Sequence, residues 1–363
     1  MTIGVPREVK IGETRVSMTP SLCRRVTSLG GKVLIEKGAG LSAGYPDDQY
    51  RAAGASFATA AAKVWKSADV ILKVKEPLAS EYALMQPNQT IFTYLHLAAG
   101  PALAKELCRK KILGIAYETV EGKDGAFPLL KPMSQIAGRL SIQIGAYFLQ
   151  SQHGGSGTLL GGVPGTMPGH VVVVGAGNSG AHAVQMAVGM GARVTVLDLD
   201  TRRLEALDIE YRGRVVTLMS NPANIEYAVT EADLLIGAVL IPAAKAPIVV
   251  SEKMVAKMQP GSVIVDIAID QGGCIETIRA TSHEKPTYKE HGVIHYAVPN
   301  MPALVGRTST MALTQATEPF VAMMVQKGVE RALAEHKGLA KGVNTRASRI
   351  TYEEVAKAVG FDS

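Results

Sequence analysis

Val171-Val-Val-Val-Gly175-Ala-Gly177-Asn-Ser-Gly180 decides the fold, because a β-branched run enters a GxGxxG loop there. A helix follows at once, with Val184, Ala187, Val188 and Gly191 on one face. A second strand, Arg193–Leu197, then ends in Asp198. Gly175 allows the tight turn, Gly177 lets backbone approach a pyrophosphate, and Gly180 lets helix and strand pack closely. Asn178 and Ser179 sit where the helix N-terminus offers N–H groups and a positive dipole end to the phosphates. Asp198 lies 18 residues beyond Gly180, where a carboxylate accepts from adenosine ribose hydroxyls and repels a 2′-phosphate. The pattern predicts NAD rather than NADP. Arg202 and Arg203 work against that preference if either faces a phosphate, and read equally well as surface charges.

Outward from this unit, Arg214–Leu218, Asp233–Ala238, Ser262–Asp266 and Ile294–Val298 read as further strands. With Val171–Val174 and Arg193–Leu197 they predict a doubly wound nucleotide-binding sheet. Upstream, Thr2–Pro6, Lys32–Glu36, Asp69–Lys75, Thr90–Leu95 and Ile112–Tyr117 are separated by stretches long enough for crossover helices, which favours a second parallel sheet. Pro132 opens a helix carrying Ile136, Leu140, Ile144 and Phe148, ended by Gly154-Gly155, and Gly154–Gly169 reads as a connector. Beyond about residue 305 a helix is expected from Met311 to His336, kinked at Pro319, with the tail returning to the first domain. The expectation is an α/β protein of two doubly wound domains with a cleft between them. One is a Rossmann NAD-binding domain, residues 131–304. The other is a discontinuous flavodoxin/Rossmann-like substrate domain, residues 1–130 plus 305–363.

Composition agrees with this and excludes other classes. A chain of 363 residues with 47% hydrophobic residues can build roughly two cores. The net charge of +6 is scattered, with no basic run and no interleaved aromatics. That argues against a nucleic-acid partner and suits an anionic small substrate. Cys23, Cys108 and Cys274 are odd in number, far apart and without a CxxC, which points to a reducing, cytoplasmic compartment and not to a disulfide framework or zinc site. The N-terminus lacks the apolar core of a signal peptide. The most apolar window, Leu234–Ala244, is too short for the roughly 20 residues of a membrane helix. His153, His170, His291 and His295 lack metal-ligand spacing such as HExxH, so no metal is expected. Gly154-Gly-Ser156-Gly157 lacks the strand and helix of a nucleophile elbow.

Open α/β sheets bind ligands beyond the carboxyl ends of their strands, so candidates follow from position. In the second domain Val239 and Leu240 follow the fourth strand, Asp270 the fifth, and Asn300 and Met301 the sixth. In the first, Arg15 lies on the loop after the first strand. Lys73 and Lys75 share a strand face by two-residue alternation, of which only Lys75 is taken as a candidate and Lys73 is read as structural, and His96 follows Ile91–Leu95. Taken singly each has an ordinary reading: a surface ion pair for Arg15, a solvated lysine for Lys75, a packed histidine for His96, a turn cap for Asp270. Together they present cations and an imidazole opposite a cofactor and a carboxylate.

Several stretches resemble the alanine dehydrogenase family, which is related to the nucleotide-binding subunit of proton-translocating transhydrogenases. They are Gly4-Val-Pro-Arg-Glu-Val-Lys, Glu13-Thr-Arg15-Val, Val74-Lys75-Glu-Pro, Tyr94-Leu-His96-Leu-Ala and Pro132-Met-Ser134-Gln-Ile-Ala-Gly-Arg. Gly161-Gly-Val-Pro-Gly165, the glycine loop, Val265-Asp-Ile-Ala-Ile-Asp270-Gln-Gly-Gly and Asn300-Met-Pro followed by Arg307-Thr-Ser-Thr complete the set. The resemblance implies reversible NAD-dependent conversion of L-alanine to pyruvate and ammonium. It implies Arg15 and Lys75 on the substrate and His96 and Asp270 as the catalytic pair, and the position of Asn300 after the sixth strand makes it a further substrate-binding candidate. Ser134, Asp198, Arg203, Ser220, Asp270 and Met301 would touch the cofactor, with backbone near Val239, Leu240 and Ile267. It also implies a homo-oligomer, hexamer or dimer. The other readings are a soluble transhydrogenase subunit, a non-catalytic NAD sensor, and a dehydrogenase for glycine, serine or a basic amino acid.

Overall fold

Continuous apolar runs, as opposed to alternating ones, mark strands buried on both faces, and the chain contains two sets of them. The computed structural model describes residues 1–239 and 246–360. They form two units, Met1–Met133 with Ala303–Ser363, and Ser134–Pro302.

In the first unit β1 (Thr2–Val5), β2 (Lys32–Glu36), β3 (Ser56–Ala58), β4 (Val70–Leu72), β5 (Thr90–Thr93) and β6 (Leu113–Ala116) are parallel, in the spatial order β3-β2-β1-β4-β5-β6. In the second, β7 (His170–Val174), β8 (Arg193–Asp198), β9 (Val215–Met219), β10 (Leu234–Gly237), β11 (Val263–Asp266) and β13 (Val293–Tyr296) run in the order β9-β8-β7-β10-β11-β13. There β12 (Thr287–Glu290) adds antiparallel outside β13. The tail then supplies β14 (Val343–Arg346) and β15 (Arg349–Ile350), which extend the first sheet beyond β6. Each sheet reverses its winding once, between β1 and β4 and between β7 and β10, and such a switch point opens a crevice at the strands' carboxyl ends.

Helices bury one face against these sheets. Pro101–Arg109 starts on a proline and buries Leu103, Ala104, Leu107 and Cys108. Those residues join Trp65, Ile71, Ile91 and Ile112, and Ile350, Val355 and Ala356 of the tail, in one core. Each fully buried Leu or Ile contributes roughly 1.5–3 kcal/mol, so the tail is tied in by its own apolar residues. In the second unit Val172, Val174, Leu197, Ile225, Leu235, Ile264 and Ile275 form the equivalent core.

Four strands were not expected. β3 and β15 have three and two residues, β14 lies in a tail that reads as helix and loop, and β12 (Thr-Tyr-Lys-Glu) is only partly covered. The strand expected over Asp69–Lys75 ends at Leu72, so Lys73 and Lys75 do not share a strand face. The expected Met311–His336 helix is two helices, Gly306–Lys327 with Pro319 inside it and Val329–Glu335, divided by Gly328 at φ +82°. The helix Lys131–Phe148 ends before Gly154, which closes a short 3-10 turn, Ser151–His153.

The helix Asn178–Gly189 is seated by Gly180, where a Cβ would lie 1.7 Å from the Gly175 carbonyl oxygen. Gly189, on the same helix, has open space around it. Gly180→Ala is therefore expected to destabilise the protein by about 3 kcal/mol in urea unfolding, and Gly189→Ala to stabilise it by about 0.5 kcal/mol. Equal stability of the two variants would contradict this packing.

Candidate active site

In the first unit the candidates cluster beyond the carboxyl ends of β4 and β5. Lys75 is buried, 9% exposed, and its Nζ stands 3.5 Å from His96 Nε2. Burial overturns the solvated-lysine reading. His96 is exposed, so it is not a packed core histidine, and its ring stacks on Tyr94 at 5.9 Å and 14°. The Tyr94 hydroxyl donates to the Leu129 carbonyl at 2.5 Å, and burial raises its pKa, so Tyr94 is a neutral, fixed platform.

Arg15 is also buried, 3% exposed. Its Nε and Nη2 donate to the two Glu13 carboxylate oxygens at 2.7 and 2.6 Å, and Nη1 lies 3.1 Å from Met133 Sδ. Burial pulls its pKa down, but the Glu13 hydrogen bonds and charge outweigh this and raise it. The pair is thus a buried, planar fork and not a surface ion pair.

Lys73 goes elsewhere. It is fully buried, with Nζ 3.2 Å from Glu8 and 3.0 Å from Glu81. Burial opposes its charge and the two carboxylates restore it, so its pKa is raised. Glu8 in turn accepts the backbone N–H of Val74 at 2.6 Å and of Lys75 at 3.3 Å. The buried pair therefore holds the chain that carries Lys75.

In the second unit the glycine loop lies at the switch point. Gly175 has φ +102°, and a Cβ there would meet the Ala238 carbonyl oxygen at 2.6 Å. At Gly177, by contrast, a Cβ would find only Arg203 Nη1, at 3.9 Å. The fold itself therefore leaves a cradle at Gly177. No side chain caps the helix that begins there, and backbone donors at a helix start suit a pyrophosphate. Asp198 ends β8 and is 8% exposed. Its carboxylate accepts the Ala176 N–H at 2.5 Å and the Asp200 N–H at 2.8 Å, with Arg203 Nη1 3.5 Å away. Arg202 pairs with Asp200 at 2.9 Å. Ser220 follows β9 and donates its N–H to the Asp198 carbonyl at 2.9 Å. Ser134 lies one helical turn before Gly138, where a Cβ would come within 2.0 Å of the Ser179 carbonyl oxygen. Val239 and Ile267 follow β10 and β11, both half-buried, and Met301 is buried. Leu240 lies outside the described residues.

Asp270 sits exposed on the 3-10 turn Ile267–Gln271, and its two oxygens accept the Asn300 N–H at 3.2 and 3.3 Å. The structure thus joins Asp270 and Asn300, through Asn300's backbone at φ +58°. Sequence reading missed Asp266, which starts this turn. It is fully buried and accepts from Ala268 N at 2.9 Å and Cys274 N at 2.8 Å. Burial pushes its carboxyl up to about 6, against those hydrogen bonds. Its only sequence signal is a carboxylate at the last position of a strand, before a turn. Among the described residues the one grouping of possible metal ligands is Glu252, Glu290 and His291, where His291 pairs with Glu252 and Glu290 with Arg279.

A switch-point glycine loop with a carboxylate ending the next strand defines the dinucleotide-binding class of α/β protein. The N-terminal domain model of the Alanine dehydrogenase/PNT family matches residues 4–137, and its C-terminal domain model residues 141–353. The chain belongs to this family. The alanine dehydrogenase of Methanococcus maripaludis is 56% identical over 359 residues, covering 99% of this chain and 96% of that protein. That of Bacillus subtilis is 51% identical over 364 residues, covering 100% and 96%. A solved L-alanine dehydrogenase structure superposes with a TM-score of 0.96 at 50% identity, over 99% of each chain. A transhydrogenase structure from Sinorhizobium meliloti, with a TM-score of 0.83 at 24% identity over 97% and 99%, shares the fold.

Asp266 yields a stability prediction with a definite sign. Its folded pKa of about 6 lies above the ordinary 3.8, so the native state holds the proton more tightly. The stability it contributes is present below pH about 4 and is lost as pH rises through about 6, on the order of 3 kcal/mol in all. The stability of the wild type relative to Asp266→Asn should fall over that window in urea titrations. A flat or rising difference would contradict the assignment.

Proposed function

We propose that the chain is an L-alanine dehydrogenase, catalysing reversible oxidative deamination of L-alanine to pyruvate and ammonium with NAD. The observation that carries the reading is the 3.5 Å approach of Lys75 Nζ to His96 Nε2, in a chain 56% identical along its length to an alanine dehydrogenase. A nucleotide sensor needs the glycine loop but has no use for that pair or for the buried Arg15 fork. A likeness at 24% identity gives the transhydrogenase reading fold alone.

The cofactor is assigned to the loop Gly175-Ala-Gly177-Asn178-Ser179-Gly180, with Asp198 on the adenosine ribose. The fixed carboxylate of Asp198 supports NAD over NADP. Ser134, Arg203, Ser220, Met301 and backbone near Val239, Leu240 and Ile267 complete the assignment. Held by these residues, NAD would supply the acceptor for the Cα hydrogen of alanine as hydride.

Arg15 meets the substrate carboxylate, its fork oriented by Glu13. Asp270 stabilises the iminium cation left when hydride departs and orients the attacking water. His96 takes the proton that water loses on adding to Cα. The carbinolamine nitrogen takes that proton back from His96, the hydroxyl then gives its own proton to His96 as the C–N bond breaks, and the departing ammonia collects it as ammonium. Lys75 polarises the developing carbonyl oxygen, and Asn300 holds Asp270 through its backbone. The three buried thiols support a reducing, cytoplasmic setting. Exposed Leu159, Val163 and Met167, 64%, 55% and 75% accessible within one loop region, support self-association as a hexamer or dimer.

His96→Ala and Asp270→Asn are each expected to lower alanine-dependent NADH formation by about 100-fold or more, with NADH affinity retained in fluorescence titrations. Near-normal turnover by both variants would overturn these roles.

A further inference from the structure

His96 stands in the left-handed region, at φ 48° and ψ 38°, where a residue with a Cβ does not settle without local support. The support comes from the neighbouring strand. β6 lies beside β5 in the sheet, and the 3-10 turn that follows it, Tyr117–Thr119, carries Glu118. The Glu118 carboxylate accepts the Leu95 N–H through both oxygens, at 3.1 and 3.2 Å, and the His96 N–H at 2.6 Å. Both donors have left the β-ladder, so this carboxylate meets two backbone groups the sheet no longer serves. The turn is itself braced by the tail: Asn344, 1% exposed, donates from Nδ2 to Thr119 Oγ1 at 2.7 Å.

We propose that Glu118 is a positioning residue for the reaction: by clamping the Leu95 and His96 amides it holds the His96 backbone in its left-handed conformation and so keeps the imidazole over Tyr94 and beside Lys75. The proposal rests on the assignment of His96 as the proton-transferring group. Glu118 acts through backbone and makes no claim on substrate. Without the clamp, peptide 95–96 is free to relax toward ordinary extended backbone, which turns the ring away from Lys75 Nζ. The cofactor set belongs to other strands and is unaffected.

The test uses the full chain with Glu118→Gln and Glu118→Ala, alone and combined with His96→Ala. Glutamine keeps one accepting oxygen and alanine keeps none. The expected order is wild type, then Gln with kcat down about tenfold, then Ala down about 100-fold, the loss that a misplacement near 1 Å produces. The KM for alanine, set by Arg15, and the NADH affinity should stay near wild-type values, and thermal unfolding should remain cooperative. In the His96→Ala background Glu118→Gln should cost no further activity, because it acts only through the missing ring. If no residual rate can be measured there, the split between kcat and KM decides. A kcat for Glu118→Gln within about twofold of wild type, or a loss that multiplies with that of His96→Ala, would overturn the clamp. Full activity of His96→Ala alone would instead remove the catalytic assignment beneath it, a separate and recognisable result.

Discussion

Backbone N–H groups that leave a parallel sheet at its carboxyl edge lose their ladder partners, and the candidate site depends on how they are met. In both units a carboxylate meets them. Glu8 takes the amides of Val74 and Lys75, and Glu118 those of Leu95 and His96. Asp198 takes those of Ala176 and Asp200, and Asp266 those of Ala268 and Cys274. Hydrogen bonds to an ionised acceptor are roughly twice as strong as neutral ones. Loops that would otherwise be the softest parts of the chain become fixed supports for Lys75, His96, the glycine loop and Asp270.

The clamps divide by environment. Glu8 is buried against Lys73, which retains its charge through two carboxylates. Removing one member of such a buried group costs about 3–5 kcal/mol. Asp266 has no cation among the causes that shift it. Its charge rests on backbone donors and loses to burial, which raises its pKa. Glu118 is only half-buried, and its value lies in geometry: it holds a histidine where ordinary backbone preferences would not.

The second unit was legible in the sequence because its signals are local. The valine run, the glycine spacing and the acid at the end of the next strand lie within one βαβ segment, and the structure places them at the β7–β10 switch point. His96 and Asp270 stand where the sequence put them, just past apolar runs, and Lys75 stands near the end of one. The Glu8 and Glu118 clamps were not legible, because their partners are distant along the chain: 66 residues for Glu8 with Val74, and 22 for Glu118 with His96. Glu13 could have been found, since it stands two residues from Arg15 in a buried stretch. The short strands escaped because β3 and β15 are too brief for periodicity and β12 is polar on an edge. Lys73 and Lys75 were put on one face by carrying strand alternation past Leu72, where the strand has ended.

The central claim is that one chain brings a nicotinamide cofactor and a small amino or oxo acid to the same chemistry. Its most direct test is NADH oxidation by the purified protein with pyruvate and ammonium, each omitted in turn and NADPH substituted in parallel. The account predicts turnover that requires both substrates and strongly prefers NADH. Absence of turnover from a protein that binds NADH, or turnover independent of ammonium, would contradict it.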